Sequence, residues 1–464
     1  MANHKQGQEE NTHHYATRSI HVGSEPDPST GSVVPNLSVA TTYLQYGIGK
    51  HHGYEYSRSD NPTRNALERL ITSLETCPQR EDGTETLVYA SGSAATSALC
   101  QWVSLPEVEG GAGGGHGPGN GGHVLAVNDV YGGTARYLAR TAKSTGLEVT
   151  FLDMEKAGEE GIRSHIRDDT KIIWLELPTN PMLLVPPLSL ISKIVESLPH
   201  RPLIVCDTTF LSSYFFTPLS NCPGPPLADI VLSSLSKYSG GHSDIILGSL
   251  TVSARVKDRA LRGLRFIQNS TGGIPSPRDC HLMIRSLKTL GLRALKHGMN
   301  ALQVASWLKT CPLVEKVRYP GLNGDGAFHT VEGLLSTNAK RELEFLGWQF
   351  PFKPSPTENS TGGLAHLRSL GIPFGGVVSF VLKDAPSEAV ERFVTSLKII
   401  FLAESLGGAE SLIEVPYAMT HAQLPEETKA ALGITHNLIR LSVGIEDAED
   451  LIEDLTQAMR AANN

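Results

Sequence analysis

Between residues 84 and 252 the chain switches repeatedly between two patterns. Short apolar runs without clean polar–apolar alternation are separated by stretches whose apolar residues recur at helical spacing. The runs at 84–90, 123–128, 148–153, 171–176, 202–207, 229–234 and 245–252 read as strands. Residues 188–198 and a long stretch over 277–309 read as helices. Strands buried on both faces and separated by helices predict a mainly parallel sheet covered on both sides, an α/β fold. Asn61 followed by Pro62 marks a helix start, with Ala66, Leu67, Leu70, Ile71 and Leu74 on one face. Ser91-Gly-Ser before another helical run gives a cap whose free N–H groups suit an anion.

The pattern changes after 310. Strands at 314–319, 377–382 and 438–443, helices near 333–346 and 447–459, and no regular alternation predict a smaller α+β domain. Three units follow: an arm at 1–60, an α/β domain at 61–309 and the α+β domain at 310–464. Residues 1–15 read as a disordered leader, 16–50 as an extended arm and 351–375, rich in Pro, Gly and Ser, as a mobile insertion. The Gly-rich stretch 110–122 contains G-x-G-x-x-G at Gly117, Gly119 and Gly122. It precedes a strand instead of following one, so it reads as a surface loop and not a nicotinamide site.

A length of 464 residues calls for more than one domain, and 40% hydrophobic residues fit a globular chain. The net charge of -8 and the lack of a basic run argue against nucleic acid. No apolar window is long enough to span a bilayer, and the N-terminus lacks a targeting pattern. Six dispersed cysteines without C-x-x-C speak for free thiols in a reducing cytoplasm, not for zinc. The pairs His13-His14 and His51-His52 read as loop histidines, because adjacent side chains rarely converge on one ion.

Candidate chemistry centres on Leu232-Ser-Ser-Leu-Ser-Lys-Tyr-Ser-Gly-Gly-His-Ser-Asp244. Lys237 closely follows an apolar strand, where an ammonium loses hydration. A desolvated lysine has a lowered pKa, and its free amine can condense with an aldehyde. Ser234 and Ser236 beside it offer hydroxyls to phosphate oxygens. Asp207 and Asn180 also sit just past strand ends, where ligands bind in such sheets.

These residues, with Asn128-Asp-Val-Tyr-Gly-Gly-Thr134, Pro178-Thr-Asn-Pro181, Asp207-Thr-Thr-Phe210, Pro275-Ser-Pro277, Leu287-Lys-Thr-Leu290 and Leu402-Ala-Glu-Ser-Leu-Gly-Gly408, resemble the Cys/Met-metabolism enzymes that use pyridoxal phosphate (PLP). The resemblance runs from about residue 16 to 461. It implies the PLP-dependent transferase fold type I. It also implies that Lys237 binds the cofactor covalently, that Asp207 faces its pyridine nitrogen and that Tyr131 stacks on its ring and assists proton transfer. Gly92, Ser93, Thr209, Ser234 and Ser236 would complete the cofactor site, joined by Tyr56 and Arg58 of a neighbouring subunit. Arg440 would fork onto the substrate carboxylate, helped by Asn180 and Ser405, with Glu404, Glu55 and Arg136 nearby. The implied assembly is a homotetramer built from dimers with shared sites.

By the same resemblance the activity is γ-elimination of cystathionine to cysteine, 2-oxobutanoate and ammonia. Thr208, Ser233, Ser236, Arg278 and Tyr417 depart from the family's usual residues, which keeps γ-replacement on an activated homoserine as an alternative. A catalytically inactive binding protein of the same fold is the alternative from another class.

Overall fold

The computed structural model describes residues 13–76, 83–105, 121–220, 224–354 and 363–462. A small hairpin in the arm pairs β1 (Gln45–Gly47) with β2 (Lys50–His51). The large sheet contains β3 (Glu85–Tyr89), β4 (Gly122–Val127), β5 (Leu147–Leu152), β6 (Thr170–Glu176), β7 (Leu203–Asp207), β8 (Ile230–Ser234) and β9 (Gly248–Val252). Its spatial order is β3-β9-β8-β7-β6-β4-β5. Neighbours from β8 through to β5 run parallel, and β9 runs against both β8 and β3. The reversal has a local cause. The connection from 235 to 247 carries no helix, so the chain cannot cross over and returns beside the strand it left.

The smaller sheet follows the order β10 (Val314–Arg318), β11 (Val377–Leu382), β14 (Leu438–Ser442), β13 (Leu412–Glu414), β12 (Phe401–Leu402). One apolar cluster fills the large sheet and its helices, and also takes in Ala327, Phe328, Trp348, Ile372 and Phe374. A second cluster lies around β11, β13 and β14 with Phe393, Leu451 and Leu455.

Three expectations need correcting. The arm opens with a helix, Tyr15–His21, anchored by Tyr15 Oη to Ser213 Oγ at 3.0 Å. The stretch read as a mobile insertion contains the helix Gly363–Leu370, and Trp348 Nε1 donates to the Gly371 carbonyl at 2.8 Å. The long helix divides at Lys288 and Thr289 into Pro277–Leu287 and Leu290–Thr310. The expected leader up to residue 12 and most of the Gly-rich loop, 110–120, lie outside the described residues. The helix Lys257–Thr271 was not anticipated, although Ala260, Leu264 and Ile267 mark its buried stripe. Among the described residues, no helix is long and apolar enough to cross a membrane.

Candidate active site

The carboxyl ends of β6, β7 and β8 converge on one region. Parallel register pairs Glu176 with Asp207 and Asp207 with Leu232, so two acids end adjacent strands just before Lys237. Burial raises the Asp207 pKa to about 6, although the Thr209 hydroxyl and N–H bonds oppose that rise. Thr209 N–H donates to Asp207 Oδ1 at 2.8 Å, and Ser234 N–H donates to Thr209 Oγ1 at 2.8 Å. Thr209 therefore ties the acid to the strand that leads to Lys237.

Glu176 is buried more deeply, and its pKa is pushed well up by burial and then by the charge of Asp207. One of its oxygens accepts the Tyr131 N–H at 2.8 Å, and the other has no partner. Of these neighbouring acids, Glu176 therefore holds the proton more firmly. Tyr131 is held by its backbone while the residue as a whole is 44% exposed. A Cβ at Gly133 would come within 2.3 Å of the Tyr131 ring, so glycine there makes room for the ring.

Lys237 Nζ donates to Ser405 Oγ at 2.7 Å. Its pKa is lowered, first by burial and then by Arg440, while Glu414 and Glu404 pull the other way. Ser405 has a positive φ of 98°, uncommon for a non-glycine residue. In that conformation its hydroxyl meets Lys237 and its carbonyl accepts Arg440 Nη2 at 2.9 Å. Arg440 lies on the fully buried strand β14 and reaches across to Asn180 Oδ1 at 3.0 Å. The smaller sheet thus delivers a guanidinium to the edge of the larger one.

The remaining expected residues fall into two groups. Gly92 and Ser93 open the helix Gly92–Ser104, where Ser91 caps the Ala94 N–H and the earlier N–H groups have no intrahelical acceptor. A Cβ on Gly92 would sit 3.1 Å from the Ser234 Cβ, so this helix start runs closely along the strand end. Ser236 Oγ is engaged with the Leu247 backbone, accepting its N–H at 3.0 Å. Elsewhere, Arg58 is exposed, stacks over Tyr56 at 5.9 Å and donates to the Asn269 carbonyl at 3.1 Å. Glu55 pairs with His51 at 3.4 Å, and Arg136 reaches Gln423 at 3.5 Å. Glu404 is exposed but near enough to bear on the charge of Lys237. Tyr417 gives its hydroxyl to Glu426 at 2.7 Å.

A pyridoxal phosphate fits this arrangement. A helix start with unused N–H groups and the Ser234 hydroxyl beside it offer a phosphate cradle, and a lysine with lowered pKa stands three residues beyond. A buried Arg440 Nε without a partner adds an unmet donor. Sequence reasoning missed Glu176, Glu414, Thr420 and His421. Glu414 and Arg440 are cross-strand partners, and a buried-looking strand ending in an acid was the available signal.

The Cys/Met metabolism PLP-dependent enzyme model matches residues 16–340 and 362–460. A cystathionine gamma-lyase of Mus musculus is 40% identical over 452 residues, 97% of this chain and 96% of that protein. One from Bacillus subtilis is 39% identical, covering 96% of this chain and 98% of its own. The crystal structure of cystathionine gamma-lyase from yeast superposes with a TM-score of 0.78 at 36% identity, covering 97% of this chain and 99% of that one.

Proposed function

This chain belongs to the Cys/Met metabolism PLP-dependent enzyme family, and we propose from that premise that it cleaves cystathionine by γ-elimination. The products are cysteine, 2-oxobutanoate and ammonia. The observation that carries this reading is a lysine amine beside Ser405 and Arg440 at the carboxyl edge of the sheet, in a chain about 40% identical to cystathionine gamma-lyases along nearly its whole length.

Bound pyridoxal phosphate supplies an electron sink for charge developing on the substrate α-carbon. We assign Lys237 as the residue that holds it and Asp207 as the acid facing its pyridine nitrogen. Gly92, Ser93, Ser234 and Ser236 surround its phosphate in this reading, with Thr209 completing the cofactor site beside Asp207 and Tyr131 against the ring. Arg440, steadied by Asn180 and the Ser405 carbonyl, binds the substrate α-carboxylate. The Lys237 amine takes the α-proton, a task suited to an amine whose pKa is lowered by burial and a neighbouring cation. Ser405 Oγ positions that amine from 2.7 Å. Glu404, Glu55 and Arg136 meet the distal end of the substrate, and Tyr131 shares in proton transfer.

We also propose that the active unit is a homotetramer built from dimers, in which Tyr56 and Arg58 serve the neighbouring site. Supporting this, the arm leaves Leu44 86% and Ile48 fully exposed, an apolar cost that a partner surface relieves. Buried, unpaired Cys100, Cys206 and Cys280 suit the cytoplasm.

The reading is tested by colour. Purified protein is expected to be yellow, bleached by borohydride, with the visible band lost in Lys237→Ala. A colourless protein that pyridoxal phosphate cannot reconstitute would overturn it.

A further inference from the structure

Five N–H donors project from an arginine, and their allocation around Arg440 can be followed. Nη1 donates to Asn180 Oδ1 at 3.0 Å and is ion-paired with Glu414 Oε1, also at 3.0 Å, so both partners crowd that nitrogen. Nη2 gives one proton to the Ser405 carbonyl at 2.9 Å. Nε is buried and has no partner. The donors left are Nε–H and one Nη2–H, which share an edge of the guanidinium plane. That edge grips a carboxylate with two parallel bonds.

Glu414 is what closes the other edge. It lies directly across the ladder from Arg440, on β13 against β14, and is 1% exposed. Thr420 fixes the same oxygen with its hydroxyl at 2.8 Å, and His421 Nδ1 lies 2.9 Å from that hydroxyl. The second carboxylate oxygen has no partner. A cation as deeply buried as Arg440 needs such an anion. Burial leaves the Glu414 pKa raised, and Arg440 and the Thr420 hydroxyl offset part of that rise.

We propose that Glu414 is a positioning residue for substrate recognition: by occupying Nη1 of Arg440, with Thr420 holding it there, it reserves the Nε–Nη2 edge for the α-carboxylate. This rests on the reading above, in which Arg440 meets that carboxylate. Glu414 does not touch substrate; it fixes which face of the guanidinium is available and selects ligands that bring a negative charge of their own.

The test uses the holoenzyme and two ligands without a γ leaving group, L-alanine and L-alaninamide, titrated through the cofactor's visible band. Glu414→Ala is expected to weaken L-alanine about tenfold or more and L-alaninamide less than about twofold, as loss of one oriented charged contact implies. With cystathionine, KM should rise about tenfold while kcat falls less than about threefold. Thr420→Val should shift the same ratio by a few-fold, and Thr420→Ser should restore it. In an Arg440→Lys background the Glu414 substitution should add less than about twofold, since both act on one contact. If Glu414→Ala does not fold, Glu414→Gln, which keeps size and one acceptor, gives the same comparison with a smaller shift. Equal weakening of acid and amide, or independent effects of the Glu414 and Arg440 changes, would overturn the proposal. Failure of the wild type to cleave cystathionine would count against the proposed reaction alone, because the alanine pair reads the carboxylate grip without turnover.

Discussion

Two cationic side chains, Lys237 and Arg440, share Ser405, one through its hydroxyl and one through its carbonyl. Burial and then the charge of Arg440 lower the Lys237 pKa, and the strained Ser405 backbone makes both contacts possible. Tyr131 depends on a different local fact. In Gly133→Ala the ring must give way, because the new Cβ would lie 2.3 Å from it. The expected result is a loss of turnover of about tenfold or more with little change in Tm, since the exposed ring moves and the core does not. Unchanged kinetics would remove Tyr131 from the catalytic set. A second residue sets a pH dependence of stability. Glu75 is buried and its pKa is raised to about 8 by loss of hydration. The folded chain therefore keeps this proton through neutral pH, whereas the unfolded chain releases it above about 4.3. The stability this gives is complete below the unfolded value and is lost as pH rises through about 8. Glu75→Gln cannot ionise, so its Tm should match wild type near pH 4 and exceed it increasingly towards pH 8. At pH 7 the gain is about 4 kcal/mol, from about 1.4 kcal/mol per pH unit between about 4.3 and 7. Parallel Tm curves for the two proteins would show that Glu75 titrates as freely folded as unfolded.

Helix and strand ends place nearly every functional group. Asn61 caps the helix Pro62–Glu75, accepting N–H bonds from Thr63 at 2.9 Å and Arg64 at 3.1 Å. Its amide also donates to the Ser38 carbonyl and Ser57 Oγ, each at 3.1 Å, so one side chain joins the arm to the domain. Asn61→Ala should cost about 1–2 kcal/mol, and Asn61→Asp, which caps without donating, should fall between, as read by thermal unfolding. An alanine variant as stable as wild type would mean the cap is dispensable. That helix start was legible because Asn-Pro is a local signal. The large-sheet strands were legible within a residue or two at most ends, since burial on both faces leaves uninterrupted apolar runs. The exception is the last, which begins at Gly248 and not at 245. Reversal of β9 was not legible, because direction depends on what lies between strands. Asp207 and Lys237 could be singled out by their place after apolar strands. Glu414 offered only the weak signal of an acid ending a buried-looking strand and Thr420 offered none, because their roles arise from a cross-strand register and a returning loop that no spacing reveals.

At the scale of the molecule, the smaller sheet supplies Arg440, Ser405 and Glu414 and the larger one supplies Asp207, Asn180 and Lys237, so the proposed site exists only while the two stay packed. In the proposed assembly the arm, with its exposed apolar residues and the surface position of Arg58, would meet a neighbouring copy. Mixed oligomers of Arg58→Ala and Lys237→Ala subunits should recover activity that neither variant has alone. No recovery, with mixing verified, would mean that each site is built within one chain. The most direct measurement of the central claim is incubation of the purified protein with cystathionine as the only substrate, with products followed by mass spectrometry. Equal amounts of cysteine and 2-oxobutanoate are expected from wild type, and neither from Lys237→Ala. Absence of 2-oxobutanoate, together with thioether formation from an O-acylhomoserine and a thiol, would contradict γ-elimination and assign the chain to replacement chemistry instead.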